Sequence, residues 1–574
     1  MRTVVGMLVA LIALCLVGPA AASGLARATG APLPVIVRTA PGQTGAAEQA
    51  VRDLGGHVGQ RIDIIDGFSA TVPAGGLATL QAQPAVTEVT PNARVRLMDS
   101  GTGYDPSSDP ASLYNTTVIT GAQSYWDKGF TGSGVDVALI DSGVSPVEGL
   151  TTPGKVLNGP DLSFDSQAAN LQYLDGYGHG THMAGIIAGR DSAAQPGQYR
   201  DDKTDFIGMA PDARIVNVKV ADNQGATDVS QVIAAIDWVV QHRSDSGLNI
   251  RVLNLSFGTD STQSYTLDPL AYAAEVAWKA GIVVVASVGN DGTGTGTVAD
   301  PAIDPYVLAV GAADTRNTTS TSDDQPAAFS SWGNGTRNPD VLAPGVHIAG
   351  LRVPGSVIDQ QWGATATVAT RFFRGSGSSQ AAAVVSGAAA LAVQQHPTWT
   401  PDQIKQLFMG TALNLKAPAK PVNEGRGEIN LNHALGTGVG TFVQKFTNST
   451  GSGSLEQARG SLHVTSAAGV TLTGEQDIMG AAFNAASIAA LEAAGQSWSA
   501  GTWNGQSWSG QSWSGQSWSG QSWSGQSWSG QSWSGQSWSG QSWSGQSWSG
   551  QSWSGQSWSG QSWSGQSWSN DDWS

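Results

Sequence analysis

The chain has 574 residues, 40% of them hydrophobic, and a formal net charge of −16. That length exceeds what one compact core organises, so two or more domains are expected, and the apolar content suffices for a sizeable core. The acidic balance argues against nucleic acid as a partner and suits solubility outside the cell.

The N-terminus has the layout of a secretory signal, read as residues 1–22. Arg2 supplies the basic start, Val4 to Val17 the apolar stretch, and Ala20-Ala21-Ala22 before Ser23 a small-residue cleavage site. The apolar run is short for a membrane span, and none is expected after signal removal. Cys15, the only cysteine, lies inside this stretch, so the mature protein is expected to hold no disulfide.

Residues 34–98 read as a small α+β unit. Leu33 to Arg38 is strand-like, and Ala46 to Leu54 carries Ala46, Ala50, Val51 and Leu54 on one helical face. Val58 to Ile65 and Phe68 to Val72 are strands joined by the turn signal Asp66-Gly67. A short helix over Leu77 to Ala82 and a strand over Val86 to Leu97 complete a ferredoxin-like β-α-β-β-α-β order.

Residues 115–436 alternate strand-like and helical runs. Val135 to Ile140, Ile215 to Val220, Val252 to Leu255 and Ile282 to Ala286 are continuous and rich in Val and Ile, as in parallel strands covered on both faces. Ser230 to Gln241 and Ala271 to Ala280 have helical periodicity, so the fold class is α/β with a doubly wound parallel sheet. Thr400-Pro401-Asp402-Gln403 predicts a helix start with a capping box. Gly425 to Leu435 reads as the closing segment of this domain.

Residues 437–495 change character: Asn448 to Ser454 reads as a linker, and the rest carries no assignment. Residues 496–574 form a low-complexity tail in which Gly-Gln-Ser-Trp-Ser runs thirteen times from Gly505 to Ser569. An odd period places successive Trp on alternate faces of a strand, which disfavours a half-buried strand. Two readings are compatible: a disordered extension, and an adhesive one whose evenly spaced indoles stack on cell-wall glycan.

The chemistry concentrates in three motifs. Asp141 ends an apolar strand and is followed by Ser142-Gly143, at the strand end where open α/β sheets place their sites. His179 opens His179-Gly180-Thr181-His182 and a small-residue helix; a metal pair with His182 is disfavoured because no further ligands cluster nearby. Ser379 follows Gly375 and Gly377 at the start of a helix of Ala, Ser and Gly, where the helix N-terminus favours developing negative charge. The chain order Asp, His, Ser, in these contexts, resembles the subtilisin-type serine endopeptidases, the subtilases. The resemblance covers roughly 115–436, and more weakly 34–98, which is similar to the inhibitory propeptide of that family.

The resemblance implies a secreted serine endopeptidase acting on protein and peptide substrates and activated by loss of its own propeptide. It implies Asp141 as the acid orienting the histidine, His179 as general base and Ser379 as nucleophile, with His182 structural. Asn290, after Val283 to Val288, is implied as the oxyanion donor. Ser256-Phe257-Gly258 and Gly225-Ala226-Thr227 are implied as the two edges that pair with an extended substrate. Asp291 and Asp300 are candidates for the base of the S1 pocket. Ser378, Gln380 and Ala383 stand where the family commonly has Thr, Met and Pro. No cofactor is needed for the chemistry. Structural calcium stays open, since the acidic loop Asp201, Asp202 and Asp205 lacks regular calcium-loop spacing. A different class of reading is a catalytically silent or narrowly specific surface-attached protein whose Trp repeats do the work.

Overall fold

The computed structural model describes residues 28–92 and 104–496, except 168–169, 246, 294–295, 416–419, 467–469 and 479, together with 502–503, 506–507 and 563–564. The expected signal segment and nearly all of the Trp repeat lie outside the described residues. The chain divides into two compact units, Met1–Ser100 and Gly101–Ser574.

The first unit runs β1 (Pro32–Thr39), α1 (Thr44–Asp53), β2 (His57–Ile62), β3 (Gly67–Pro73), α2 (Leu77–Gln81) and β4 (Val86–Pro91). Its antiparallel sheet has the order β2-β3-β1-β4. The turn at Asp66-Gly67 forms with Asp66 at φ 46°. Val35, Val37, Val51, Leu54, Phe68, Val72 and Leu80 make a core that belongs to this unit alone.

The second unit opens with α3 (Leu113–Thr120) and α4 (Ala122–Trp126), then β5 (Asp136–Asp141), β6 (Val156–Asp161), α5 (His179–Ala188), β7 (Arg214–Lys219), α6 (Val229–His242), β8 (Ile250–Leu255), α7 (Pro269–Lys279), β9 (Val283–Ser287) and β10 (Leu308–Asp314). There follow β11 (Gln325–Pro326), β12 (Val341–Pro344), β13 (Ile348–Leu351), α8 (Val357–Ala366), β14 (Thr367–Val368), β15 (Phe372–Gly375), α9 (Ser378–Gln395), α10 (Pro401–Thr411), α11 (Pro421–Glu424) and α12 (Leu431–Ala434). The main sheet has the order β11-β10-β9-β8-β5-β7-β6, with β12 also on β10. All its pairings are parallel except the two-residue edge pair β10–β11. The architecture is α/β, and the sheet is dominated by parallel strands rather than wholly parallel.

The Val- and Ile-rich runs become strands because both faces are covered: Val137, Leu139, Ile140, Val252, Leu253, Val283, Val284 and Val285 are all fully buried. α9 passes close over β8, β9 and β10, which its alanines permit, and α5 packs on it, while α6 and α7 pack on each other in a second layer. The chain runs from β7 to β8 across β5, so the order reverses at β5 and Asp141 stands at the carboxyl end beside that switch. The capping box at Thr400 and Gln403 forms.

The segment after Gly436 departs from the sequence reading. Asn448 to Ser454 does not span solvent as a linker. Thr450 and Gly453 donate to the carbonyls of Thr266 and Leu267, at 2.9 and 2.7 Å, and Ser449 donates to Glu275 Oε2 at 2.8 Å. Helices α13 (Leu455–Arg459) and α14 (Ala485–Ala493) follow, and Leu455, Ala458, Val464, Leu472, Ile478 and Phe483 join the core of the second unit. Short side chains hid this packing: the Gly-Ser composition reads as flexible, yet the N–H groups of Ser449, Thr450, Gly451, Gly453 and Ser454 all find partners. Among the described residues no helix is long and apolar enough to cross a membrane.

Candidate functional site

The last residue of β5, Asp141, and the first residue of α5, His179, meet across the top of the sheet. His179 Nδ1 lies 2.7 Å from Asp141 Oδ1, with both side chains 4% exposed. Asp141 Oδ1 also accepts the Ser142 N–H at 2.7 Å. Burial makes this pairing stronger than it would be in water and holds the ring in one orientation.

A further carboxylate that the sequence reading passed over joins the two motifs. Asp175 accepts N–H bonds from Gly178 at 2.6 Å and Thr181 at 2.7 Å, and the Ser142 hydroxyl at 2.9 Å. It thereby caps the start of α5 and ties it to the turn after β5. Burial pushes its carboxyl up, and the backbone donors partly offset that. Gly180 completes the fit: a Cβ there would fall 2.2 Å from the Gly143 carbonyl and 3.1 Å from Asp141 Oδ1. Asp-x-x-Gly-His was the available signal, an acidic residue at capping distance from a helix start.

Ser379 is the second residue of α9. Its hydroxyl donates to the Ser256 carbonyl at 2.9 Å, and the Ser256 hydroxyl donates back to the Ser379 carbonyl at 3.1 Å. Below them Asn254 Nδ2 donates to Ser256 Oγ at 2.8 Å, and the Ser386 hydroxyl donates to Asn254 Oδ1 at 2.9 Å. This buried chain fixes the N-terminal turn of α9 on the end of β8. Ser378 faces elsewhere. Its hydroxyl accepts the Gly289 N–H at 3.2 Å, and its own N–H donates to Asn290 Oδ1 at 2.8 Å.

Asp141, Ser142, Tyr177, His179, Val220, Ala221, Gly225, Thr227, Ser256 and Phe257 line one pocket. The two proposed substrate edges therefore face a common cleft with the histidine in it. Gly225, at φ +78°, lets the Tyr177 ring lie against its backbone; a Cβ would come within 2.9 Å of the ring. Ala226 is less available, because its N–H and carbonyl are used by Asp222 in the turn, at 3.0 Å each. Burial pushes the Asp222 carboxyl up to about 7. Gly258 lies outside the pocket lining.

Asp300 is not at the base of a specificity pocket. It is completely buried, its carboxyl is held well above the usual range by burial and by the neighbouring Asp268 carboxylate, and its backbone pairs with Thr259. A neutral acid hydrogen-bonded to Asp268 is what that position accommodates. In the acidic loop, Asp202 Oδ1 takes the N–H groups of Thr204 and Asp205, at 3.0 Å each. Among the described residues no group of three or more His, Cys, Asp or Glu side chains is placed to hold a metal. His182, in the first turn of α5, is buried at 1% exposure.

Comparison with known proteins agrees in one direction. The model of the subtilase family matches residues 132–438. The serine protease AprX of Bacillus subtilis (strain 168) is 37% identical over 311 residues, spanning 53% of this chain and 67% of that protein. Subtilisin E of the same organism is 30% identical over 396 residues, spanning 67% of this chain and 85% of that protein. The subtilisin of Bacillus pumilus is 34% identical over 322 residues, spanning 54% and 95%.

Proposed function

Since the chain belongs to the subtilase family and is a serine endopeptidase of the subtilisin type, we propose that Asp141, His179 and Ser379 are its catalytic residues. The observation that carries this is the buried 2.7 Å contact between His179 Nδ1 and Asp141 Oδ1, in a pocket whose Ser256 holds Ser379. The Ser379 O–H turns from the Ser256 carbonyl to His179 Nε2, and Oγ attacks the scissile carbonyl carbon as the proton passes to Nε2. Asp141 accepts a hydrogen bond from Nδ1–H throughout and stabilises the imidazolium. The carbonyl oxygen, now an oxyanion, takes hydrogen bonds from Asn290 Nδ2 and the Ser379 N–H. The intermediate collapses, the amine leaves with the proton from Nε2, and water hydrolyses the acyl-enzyme by the same route.

An extended peptide lies between Gly225–Thr227 and Ser256–Gly258, adding a strand through main-chain bonds. Residues 34–98 act as the propeptide, a role supported by their separate compact unit with its own core. The signal-like residues 1–22 direct secretion. The Trp-repeat tail retains the enzyme on cell-wall glycan or another insoluble surface through many weak indole contacts. Structural calcium, common among subtilases, has no role in these steps.

Ser379→Ala tests the reading. It is expected to abolish peptide hydrolysis and to leave a precursor that has lost only its signal segment. Normal propeptide loss by the purified variant, with no other protease present, would overturn self-activation.

A further inference from the structure

Arg459 is completely buried and lies outside the segment matched by the family model. Nε donates to Asp228 Oδ2 at 2.7 Å and Nη2 to Asp228 Oδ1 at 3.4 Å. Nη1 donates to Glu456 Oε2 at 3.1 Å and the Gly474 carbonyl at 2.7 Å, and Nη2 also donates to the Gln476 carbonyl at 2.5 Å. All five N–H donors of the guanidinium are thus used. A helix of five residues does not need such an anchor for its own sake. Burying a full charge is costly, so what the charge holds matters.

It holds a point next to the cleft. Asp228 is the N-cap of α6 and directly follows Thr227, the end of one proposed substrate edge. The Ile478 N–H adds a bond to Ser230 Oγ in the first turn of α6 at 3.2 Å. The residue before the arginine, Ala458, accepts the hydroxyl of Thr259 at 2.5 Å. Thr259 directly follows Gly258, the end of the other edge. Ser461 extends this second attachment, its N–H donating to Asp260 Oδ1 at 2.8 Å. One short stretch, Ala458 to Ser461, therefore grips the residues that follow both edges of the cleft.

We propose that Arg459 is a positioning residue for substrate binding. It fastens the C-terminal segment 448–478 as a strap across the back of the cleft and fixes the spacing between Gly225–Thr227 and Ser256–Gly258. The inference rests on the reading of those two stretches as the edges that pair with substrate. The bonds just described go to Asp228, Ser230, Thr259 and Asp260, beyond the ends of the two edges, so the strap's effect falls on binding of extended chains and not on bond making. A peptide long enough to pair with both edges senses their spacing; a single-residue ester, which occupies only the site around Ser379, does not.

The test uses the full chain with Arg459→Lys, Arg459→Met and Thr259→Val, each assayed on a six-residue peptide and on a single-residue ester. Active sites are counted by fluorophosphonate labelling. For Arg459→Met we expect KM for the peptide to rise about tenfold, with kcat and ester turnover per labelled site within about twofold of the wild type. Arg459→Lys, which keeps the charge but loses the fork, is expected to lie between. Thr259→Val removes one small contact and reports the same split if the arginine variants do not fold. Unchanged peptide KM in folded variants, or equal losses on both substrates, would overturn the strap while labelling at Ser379 stayed intact. Failure of the wild type to label at Ser379 would instead overturn the reading of the cleft on which the strap rests.

Discussion

The backbone N–H of Ser378 donates to the side-chain oxygen of Asn290 at 2.8 Å. A backbone N–H only donates, so the atom opposite it is the Asn290 oxygen, and the NH2 end of that side chain points the other way. A single hydrogen bond therefore sets both the start of α9 and the sense of the amide beside it. The proposed oxyanion role needs that NH2 end as its donor.

Removing that donor gives the first expectation. Asn290→Ala should lower kcat by roughly 10²–10³ with little change in KM, because the bond strengthens only as charge develops on the carbonyl oxygen. Steady-state kinetics on a soluble peptide check this. Full kcat in the variant would reduce Asn290 to a turn residue.

Asp141→Asn should lower kcat by roughly 10⁴ while leaving the fold intact, since an amide facing Nδ1 favours the wrong tautomer and stabilises no imidazolium. Circular dichroism with active-site kinetics separates the two effects. A variant with near-normal turnover would show that the 2.7 Å contact to His179 is only structural.

Gln380 stands where subtilases commonly have Met. It is completely buried, and neither end of its amide has a hydrogen-bond partner among the described residues. An unpaired buried amide costs about 1–3 kcal/mol, whereas Met fills similar volume without that cost. Gln380→Met should therefore raise the melting temperature, measured by calorimetry on the Ser379→Ala background to prevent autolysis. A lower value would mean that the amide has a partner in solution.

Asp324 and Glu428 are both buried, and among the described residues none of their four oxygens meets a donor other than the opposing carboxyl. Burial, then the neighbouring Asp324, push the Glu428 carboxyl well above its usual range, so Glu428 carries the proton that joins the pair. The folded chain thus holds a proton that the unfolded chain releases. The resulting stability is complete below the unfolded pKa of a glutamate and is lost as pH rises toward the folded value. Glu428→Gln keeps a donor toward Asp324 without a titrating proton. Its melting temperature should fall less than the wild type's as pH rises above the ordinary range of a glutamate. Parallel curves would contradict a shared proton.

Much of this was readable in the residues. The Val and Ile runs predicted β5, β7, β8 and β9 to within two residues at each end, because strands covered on both faces need no alternation. The three motifs placed Asp141, His179 and Ser379 at a strand end and two helix starts, where the structure has them. What escaped was polar and long-range. Asp175, Asn254 and Ser386 act through bonds to residues distant in sequence, which no local period encodes. Asp300 read as a candidate for the base of the S1 pocket because a carboxylate suggests a charge that meets substrate, yet a neutral acid can be buried. Arg459 and the Gly-Ser stretch before it were illegible for the same reason: composition describes what a segment prefers alone, not which backbone groups it meets.

The central claim is that Ser379 is the nucleophile, and covalent labelling reads it most directly. Mature enzyme is treated with a fluorophosphonate and digested, and the adduct is located by mass spectrometry. The account predicts a single adduct on Ser379 in the wild type and none in Ser379→Ala. An adduct on Ser378, or unchanged labelling of Ser379→Ala, would contradict it.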